Sequence, residues 1–262
     1  MNILKKILYA VLTIIILSCA FYFFYLSPRY VVPVLMYHSI EDNPESTLSV
    51  SPENFAKQIK FLRDNKYSVI SLGELVRGIK EGRKFDHNTV VVTFDDGFED
   101  NYLKAFPILA RYRIPASVFL VSGYMGNKKG YLNWDQVRLM NNNGIDFGGH
   151  TRTEVYLPAV KDTEKLWEEI ALCREDIKNN AGFEPDFFCY PTGGFNDKIK
   201  DTIKKAGYKG ACTTNRGKDR FNKDVYEINR VKVTDSDMNK PFHFRAKLSG
   251  YYNLFRTLRN GE

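Results

Sequence analysis

Cysteine is scarce in this chain and poorly placed for cross-linking. Of its four cysteines, Cys19 lies in an N-terminal apolar run, leaving Cys173, Cys189 and Cys212 beyond it. Cys189 and Cys212 sit in apolar, strand-like stretches, so buried free thiols are expected rather than a disulfide framework. Blocks of like charge are also missing. Lys5 and Lys6 supply two of the net charge of +7, and the remaining excess of five is spread along the chain. That excludes a nucleic-acid footprint and suits either an anionic cell envelope or a plain solvated surface. There is no internal repeat and no low-complexity segment. With 44% hydrophobic and 26% charged residues, disorder is excluded as well. At 262 residues the chain makes one barrel-sized domain or two ordinary ones.

Charge is absent altogether from Ile7 to Leu26, 20 residues preceded by Lys5 and Lys6. That length spans a bilayer, with the lysines cytoplasmic and Tyr22 and Tyr25 at the outer interface. The expectation is a single-pass anchor in the cell membrane over residues 1–28, with the rest of the chain extracytoplasmic. A cleaved signal peptide is the alternative, but no small-x-small site precedes Phe21-Tyr22-Phe23-Phe24. Ile16-Leu17-Ser18-Cys19 loosely matches a lipoprotein cleavage box, yet the apolar run continues past Cys19.

What the chain does have is Thr89-Val90-Val91-Val92-Thr93-Phe94-Asp95-Asp96-Gly97-Phe98. Three consecutive valines read as a strand buried on both faces, as in a parallel sheet. The strand stops at two adjacent carboxylates and a glycine. An Asp-Gly turn with Asp96 capping a helix explains Asp96 and Gly97, but not two carboxylates in a row. Carboxylates at the end of a buried strand need a partner, and a cation is the obvious one. In α/β folds the C-terminal ends of parallel strands are where reacting groups collect.

Elsewhere, strand and helix alternate. Val31 to His38 reads as a strand ending in a histidine, and Ser51-Pro52-Glu53 opens a helix. Ala116 to Val121 and Ile145 to His150 are strands, the second again ending in histidine. A long helix runs from Thr163 to Asn179, with Leu166, Ile170, Cys173 and Ile177 on one face. Phe187 to Tyr190 is a strand stopped by Pro191, Gly210 to Thr213 another, and Val225 to Val233 a last extended piece. About seven alternations make a parallel sheet, and one closed barrel over residues 29–240 fits the length better than two domains. Phe244, Leu248, Tyr251, Phe255 and Leu258 form an apolar stripe flanked by Arg245, Lys247, Arg256 and Arg259. The stripe predicts an amphipathic helix over 241–262, packed on the barrel or lying on anionic lipid.

Thr93-Phe94-Asp95-Asp96-Gly97-Phe98 resembles the signature of the polysaccharide deacetylases, carbohydrate esterase family 4. Val34-Leu35-Met36-Tyr37-His38-Ser39, Pro115 to Phe119 and Cys189-Tyr190-Pro191 to Asn196 extend the resemblance from Val31 to Val233. It implies an α/β fold, an irregular seven-stranded (β/α) barrel, behind one N-terminal transmembrane helix. It also implies a metal-dependent hydrolase that removes N-acetyl groups from an extracytoplasmic, N-acetylglucosamine-type polysaccharide. Asp95 would be the general base on a metal-bound water, with His38 as a further catalytic candidate. Asp96, His150 and Glu154 would hold a divalent cation, zinc by resemblance, with manganese, cobalt or magnesium as alternatives. Tyr190, Pro191 and Thr192 would contact substrate and hold the oxyanion.

Three departures accompany the resemblance. Glu154 stands where the family places its second metal-ligand histidine, which makes the site harder and more anionic and favours manganese- or magnesium-like ions. The usual arginine before the Tyr-Pro loop is absent, with Phe188 and Cys189 in that region. The late catalytic histidine has no match near Cys212-Thr213-Thr214-Asn215. A glycan-binding relative without turnover, and an anchored scaffold contacting membrane or partner proteins through the basic C-terminal stretch, are therefore the alternatives. Each remaining histidine has a plainer reading: His38 as a hydrogen-bonded barrel residue, His87 as an exposed loop residue, His243 as packing.

Overall fold

A computed structural model describes residues 3–260, apart from Asn43, Glu45, Asn215, Arg216, Lys218 and Lys240; for 241 and 257–260 only the backbone is described. The chain divides into two compact units, Met1–Val31 and Val32–Glu262. That boundary falls three residues beyond the one expected, and no separate C-terminal unit is split off. In the first unit, helix α1 (Ile3–Ala20) continues through a π turn, Phe21–Leu26, and a 3-10 turn, Ser27–Arg29. This helix is long and apolar enough to cross a membrane.

The second unit is an α/β barrel. Its strands are β1 (Val34–Tyr37), β2 (Ser39–Ile40), β3 (Ser49–Val50), β4 (Ser68–Val69), β5 (Thr89–Phe94), β6 (Ala116–Leu120), β7 (Ile145–Gly149), β8 (Phe187–Cys189), β9 (Gly210–Thr213), β10 (Ile228–Asn229) and β11 (Val231–Lys232). The main sheet runs β10-β9-β8-β7-β6-β5-β1-β11, with every neighbouring pair parallel. β4 pairs with the start of β5, and β2 with β3 separately. Between the strands lie α2 (Pro52–Asp64), α3 (Leu72–Lys80), α4 (Phe106–Tyr112), α5 (Trp134–Asn141), α6 (Thr163–Trp167), α7 (Cys173–Ala181) and α8 (Asp197–Lys205).

β10 and β11 end the sheet on opposite sides, yet a single residue, Arg230, separates them. Ile228 and Asn229 pair with Cys212 and Thr213 on β9, while Val231 and Lys232 pair with Leu35 and Met36 on β1. One extended segment thus begins against the last stave and finishes against the first. The eight-membered path is seven staves, and the seventh closes the barrel. Arg230 still bonds back to β9, its N–H reaching Thr213 O at 3.1 Å, and Val233 N–H reaches Met36 O at 3.0 Å.

The valine-rich strand behaves as its composition requires, with all six residues of β5 buried. Val90 and Val92 join a core with Phe55, Ile59 and Leu62 of α2 and with Met140 and Ile177. A second cluster gathers Leu166, Ile170, Phe188, Tyr190, Ile199 and Ile203. The predicted helix 163–179 is α6 and α7 joined by a π turn at Glu168–Leu172. Leu166, Ile170, Cys173 and Ile177 are all buried.

The C-terminal stripe is not one helix. α9 (Pro241–Lys247) and α10 (Tyr252–Asn260) are separated at Gly250, whose φ of +78° no continuous helix allows. Phe244 and Leu248 are buried in the main core, Phe244 edge-on to Phe61 at 5.6 Å, whereas Phe255 is exposed. The side chains of Leu258 and Arg259 lie outside the described residues.

Candidate active site

The barrel brings the C-terminal ends of its strands to one rim, so residues distant in sequence meet there. His38 follows β1, Asp95 and Asp96 follow β5, His150 follows β7, Cys189 ends β8, and Arg230 sits at the joint of β10 and β11. A cavity of about 440 Å³ is lined by His38, Asp95, Asp96, His150, Glu154, Tyr190, Pro191, Thr192 and Arg230, and also by Leu48, Lys232 and Arg256. All eight residues singled out from the sequence line it.

Asp95 is 3% exposed, and both its oxygens are taken by Arg230. Nη1 donates to Oδ1 and Nη2 to Oδ2, each at 2.6 Å. Burial alone would push the Asp95 carboxyl up; the guanidinium charge and its two hydrogen bonds override that and hold it far below the usual carboxylate range. Arg230 Nη1 also reaches Thr93 Oγ1 at 3.1 Å, and Thr93 in turn donates to Leu35 O. The pair is therefore fixed to two staves, and it is bidentate, the strongest form of this contact. His38 Nε2 lies 3.7 Å from Asp95 Oδ2. Burial lowers the His38 pKa, Asp95 and Asp96 pull it up, and the net shift is downward.

Asp96 turns the other way because the backbone does. Asp96 and Gly97 have φ of +73° and +75°, a left-handed pair that only the glycine adopts without cost. A Cβ on Gly97 would also stand 2.7 Å from Leu120 Cδ2. The turn sets Asp96 Oδ1 3.3 Å from His150 Nε2. His150 Nδ1 lies 2.8 Å from Cys189 O; a carbonyl only accepts, so Nδ1 carries a proton and Nε2 is the nitrogen turned to Asp96 and the cavity. Burial lowers the His150 pKa, but Cys189, Asp96 and Asp95 outweigh it and hold it well above the ordinary value, so a cation taking Nε2 would displace a proton from it. Two ligands about 2.0–2.1 Å from one tetrahedral ion would be about 3.3–3.4 Å apart. The Asp96–His150 spacing fits a divalent cation between them.

Glu154 reaches the same cavity from the turn after His150. Thr151 and Glu154 both have left-handed φ, +64° and +61°, and Thr151 Oγ1 accepts from Glu154 N–H at 3.0 Å. Buried Glu169 on the π turn clamps this loop, Oε2 accepting from the N–H groups of Arg152 and Thr153 at 3.0 and 2.9 Å. Tyr124, whose hydroxyl donates to Thr153 O at 3.4 Å, stands close enough to Glu154 for that carboxylate to add to burial in raising the tyrosine's pKa. Among the described residues, the trio whose ligand atoms lie within 4.8 Å of one another is a different one: Asp95, His150 and Cys189.

In the Tyr190 loop, Tyr190 N–H is spent on Cys212 O at 3.0 Å and its hydroxyl on Tyr226 O at 3.0 Å. Pro191 has no N–H. Thr192, at φ +54°, lines the cavity beside them. Two participants escaped the sequence reading. Arg230 was seen only as part of an extended piece, and Cys189 only as a buried thiol; each makes its contacts across the barrel. Asn215, in the segment searched for a late histidine, lies outside the described residues.

The C-terminal rim of a parallel barrel thus carries an arginine-held carboxylate with an Asp–His pair beside it. The chain carries a polysaccharide deacetylase domain, that family's model matching residues 82–211. Poly-β-1,6-N-acetyl-D-glucosamine N-deacetylase of Staphylococcus aureus is 29% identical over 223 residues, 80% of this chain and 74% of that one. YxkH of Bacillus subtilis, provisionally named a polysaccharide deacetylase, is 29% identical over 78% of this chain and 71% of its own. The structure of Streptococcus pyogenes deacetylase PplD in complex with acetate superposes with a TM-score of 0.75 at 25% identity. It covers 83% of this chain and 97% of that one. IcaB from Ammonifex degensii gives 0.73 at 25% identity, over 84% and 97%.

Proposed function

We propose that the chain removes N-acetyl groups from an extracytoplasmic polysaccharide of the N-acetylglucosamine type, using a divalent cation. The observation that carries this is the division of labour at the end of β5. Asp95 is locked ionised by Arg230, while the adjacent Asp96 turns away to face His150. A binding module has no need of a spare, charge-stabilised base beside a metal ligand. The kinship with a poly-β-1,6-N-acetyl-D-glucosamine N-deacetylase supports the choice of polymer.

Asp96 and His150 would hold the cation, with Glu154 completing the set from the cavity wall. A cation held there would supply a water of lowered pKa and Lewis acidity toward the acetamide carbonyl; zinc, manganese, cobalt and magnesium are the candidates. Asp95 takes the proton of the attacking water. His38 Nε2, 3.7 Å from Asp95 Oδ2, lies where that proton can pass to the leaving amine as the C–N bond breaks. The N–H of Thr192 is our candidate oxyanion donor, since that of Tyr190 is already committed.

The decisive experiment measures acetate released by the full chain from a panel of acetylated glycans, poly-β-1,6-N-acetyl-D-glucosamine included, with and without chelator. We expect release that chelation abolishes and divalent metal restores. A metal-loaded protein that binds glycan but releases no acetate from any of the panel would favour the non-catalytic reading. We further propose that α1 anchors the chain and that residues beyond 31 lie outside the membrane. Recovery of a mature soluble protein beginning after Leu26 would overturn that topology.

A further inference from the structure

Among the described residues, the metal-ligating side chains that cluster most closely are not the set assigned above. Asp95, His150 and Cys189 bring a carboxylate oxygen, a ring nitrogen and a sulfur within 4.8 Å of one another, all buried. That donor set suits zinc and softer ions better than the oxygen-rich set around Asp96. A metal seated there would consume Asp95, so the site contains a trap for its own cofactor. What fills the space is Arg230. Its Nη1 and Nη2 stand 2.6 Å from the two oxygens of Asp95, and Nη2 stands 2.9 Å from Cys189 Sγ. The guanidinium is itself fully buried, reaches the place from the barrel's closing joint, and cannot be deprotonated away.

We propose that Arg230 is the resident cation of the Asp95–His150–Cys189 triad and excludes metal from it, confining the metal to the Asp96 side of His150. The proposal rests on the assignment of Asp96 and His150 as ligands and adds a specificity role to Arg230. Charge makes the exclusion. A divalent ion in the triad would sit within a few ångströms of a buried guanidinium, where like charges repel strongly, and Cys189 would have to surrender its proton. Without Arg230 the balance reverses: a buried carboxylate loses its counter-charge and a metal becomes the available replacement.

Cobalt reports the outcome directly, because a thiolate ligand adds a charge-transfer band in the near ultraviolet. The full chain in detergent is stripped of metal and titrated with Co²⁺. We expect wild type to bind cobalt without that band, and Cys189→Ser to bind it with unchanged affinity. Arg230→Met should show the band, Arg230→Met/Cys189→Ser should lose it, and Arg230→Lys, which keeps the charge, should lack it. A thiolate band in wild type overturns the proposal. So does a folded Arg230→Met without one, or a Cys189→Ser affinity lower by about tenfold, the loss typical when support for a metal is removed. Should Arg230→Met not fold, wild type and Cys189→Ser decide alone. Failure of the deacetylase reading looks different: the cobalt spectra stand and no acetate is released.

Discussion

At the scale of single residues, the proposed site rests on two neighbouring carboxylates that face opposite ways, Asp95 to Arg230 and Asp96 to His150. Asp95→Asn should cut acetate release by about 10²–10⁴-fold, the usual worth of a general base, while bound metal stays near wild type. Near-wild-type turnover in that variant would refute the assignment. Asp96→Ala and His150→Ala should instead lose metal and activity together, as metal analysis of the purified variants would report. The two aspartates were legible because they are adjacent, end a run of β-branched residues, and are followed by Gly97, which the left-handed turn requires. Arg230 was not. Between Asn229 and Val231 it reads as one more residue of an extended segment, and its partner lies 135 positions away. Cys189 was legible as buried, but burial does not say beside what. Local sequence carries local chemistry, and a barrel makes its most important contacts between staves.

At the scale of elements, the loop from His150 to Glu154 is held in shape from outside. Two of its residues take left-handed backbone, and the π turn carrying Glu169 compensates with hydrogen bonds to two loop N–H groups. Glu169→Ala should lower metal affinity by about tenfold as Glu154 loosens, read by calorimetric metal titration. A variant that only melts lower, its affinity intact, would make Glu169 purely structural. A second clamp ties α2 to the chain's end. Asp235 accepts from Ser51 N–H and Oγ and from Asn54 Nδ2 at 2.9, 2.6 and 2.8 Å. Burial raises the Asp235 pKa, the bonds from Ser51 and Asn54 outweigh it, and the folded value falls below the ordinary one. Its stabilisation is therefore full above the unfolded pKa of about 3.9 and is lost as pH falls through the lower folded value. Asp235→Asn should cost about 1–2 kcal/mol at pH 7, with the difference from wild type shrinking in urea titrations at increasingly acid pH. A difference that persists undiminished through the acid limb would show that charge is not what Asp235 contributes. The helices were readable from caps and apolar stripes; the break at Gly250 was not, because the apolar spacing runs straight through it and reads as one helix, whereas its left-handed backbone parts α9 from α10.

At the scale of the whole molecule, the stretch after the last strand is part of the barrel's foundation. Phe244 and Leu248 are buried in the main core, and Lys247 Nζ bonds buried Asp237 at 2.6 Å. Truncation after Val233 should lower the melting temperature markedly, since losing a buried Phe alone is worth about 3–5 kcal/mol. A truncated chain that melts unchanged but no longer binds anionic vesicles would return α9 and α10 to the lipid-surface role. The seven staves could be counted in advance because each is a short apolar run between helices; the double pairing of the seventh could not, because strand partners are chosen across the fold. That double pairing has a consequence in time. Synthesis delivers the N-terminal staves first, so the edges of β1 and β9 stay open until residues 228–232 arrive. Until then Asp95 has no guanidinium beside it, and burial without Arg230 would favour its protonated form. The last stave to be made thus seals the sheet and brings Asp95 its counter-charge in one event.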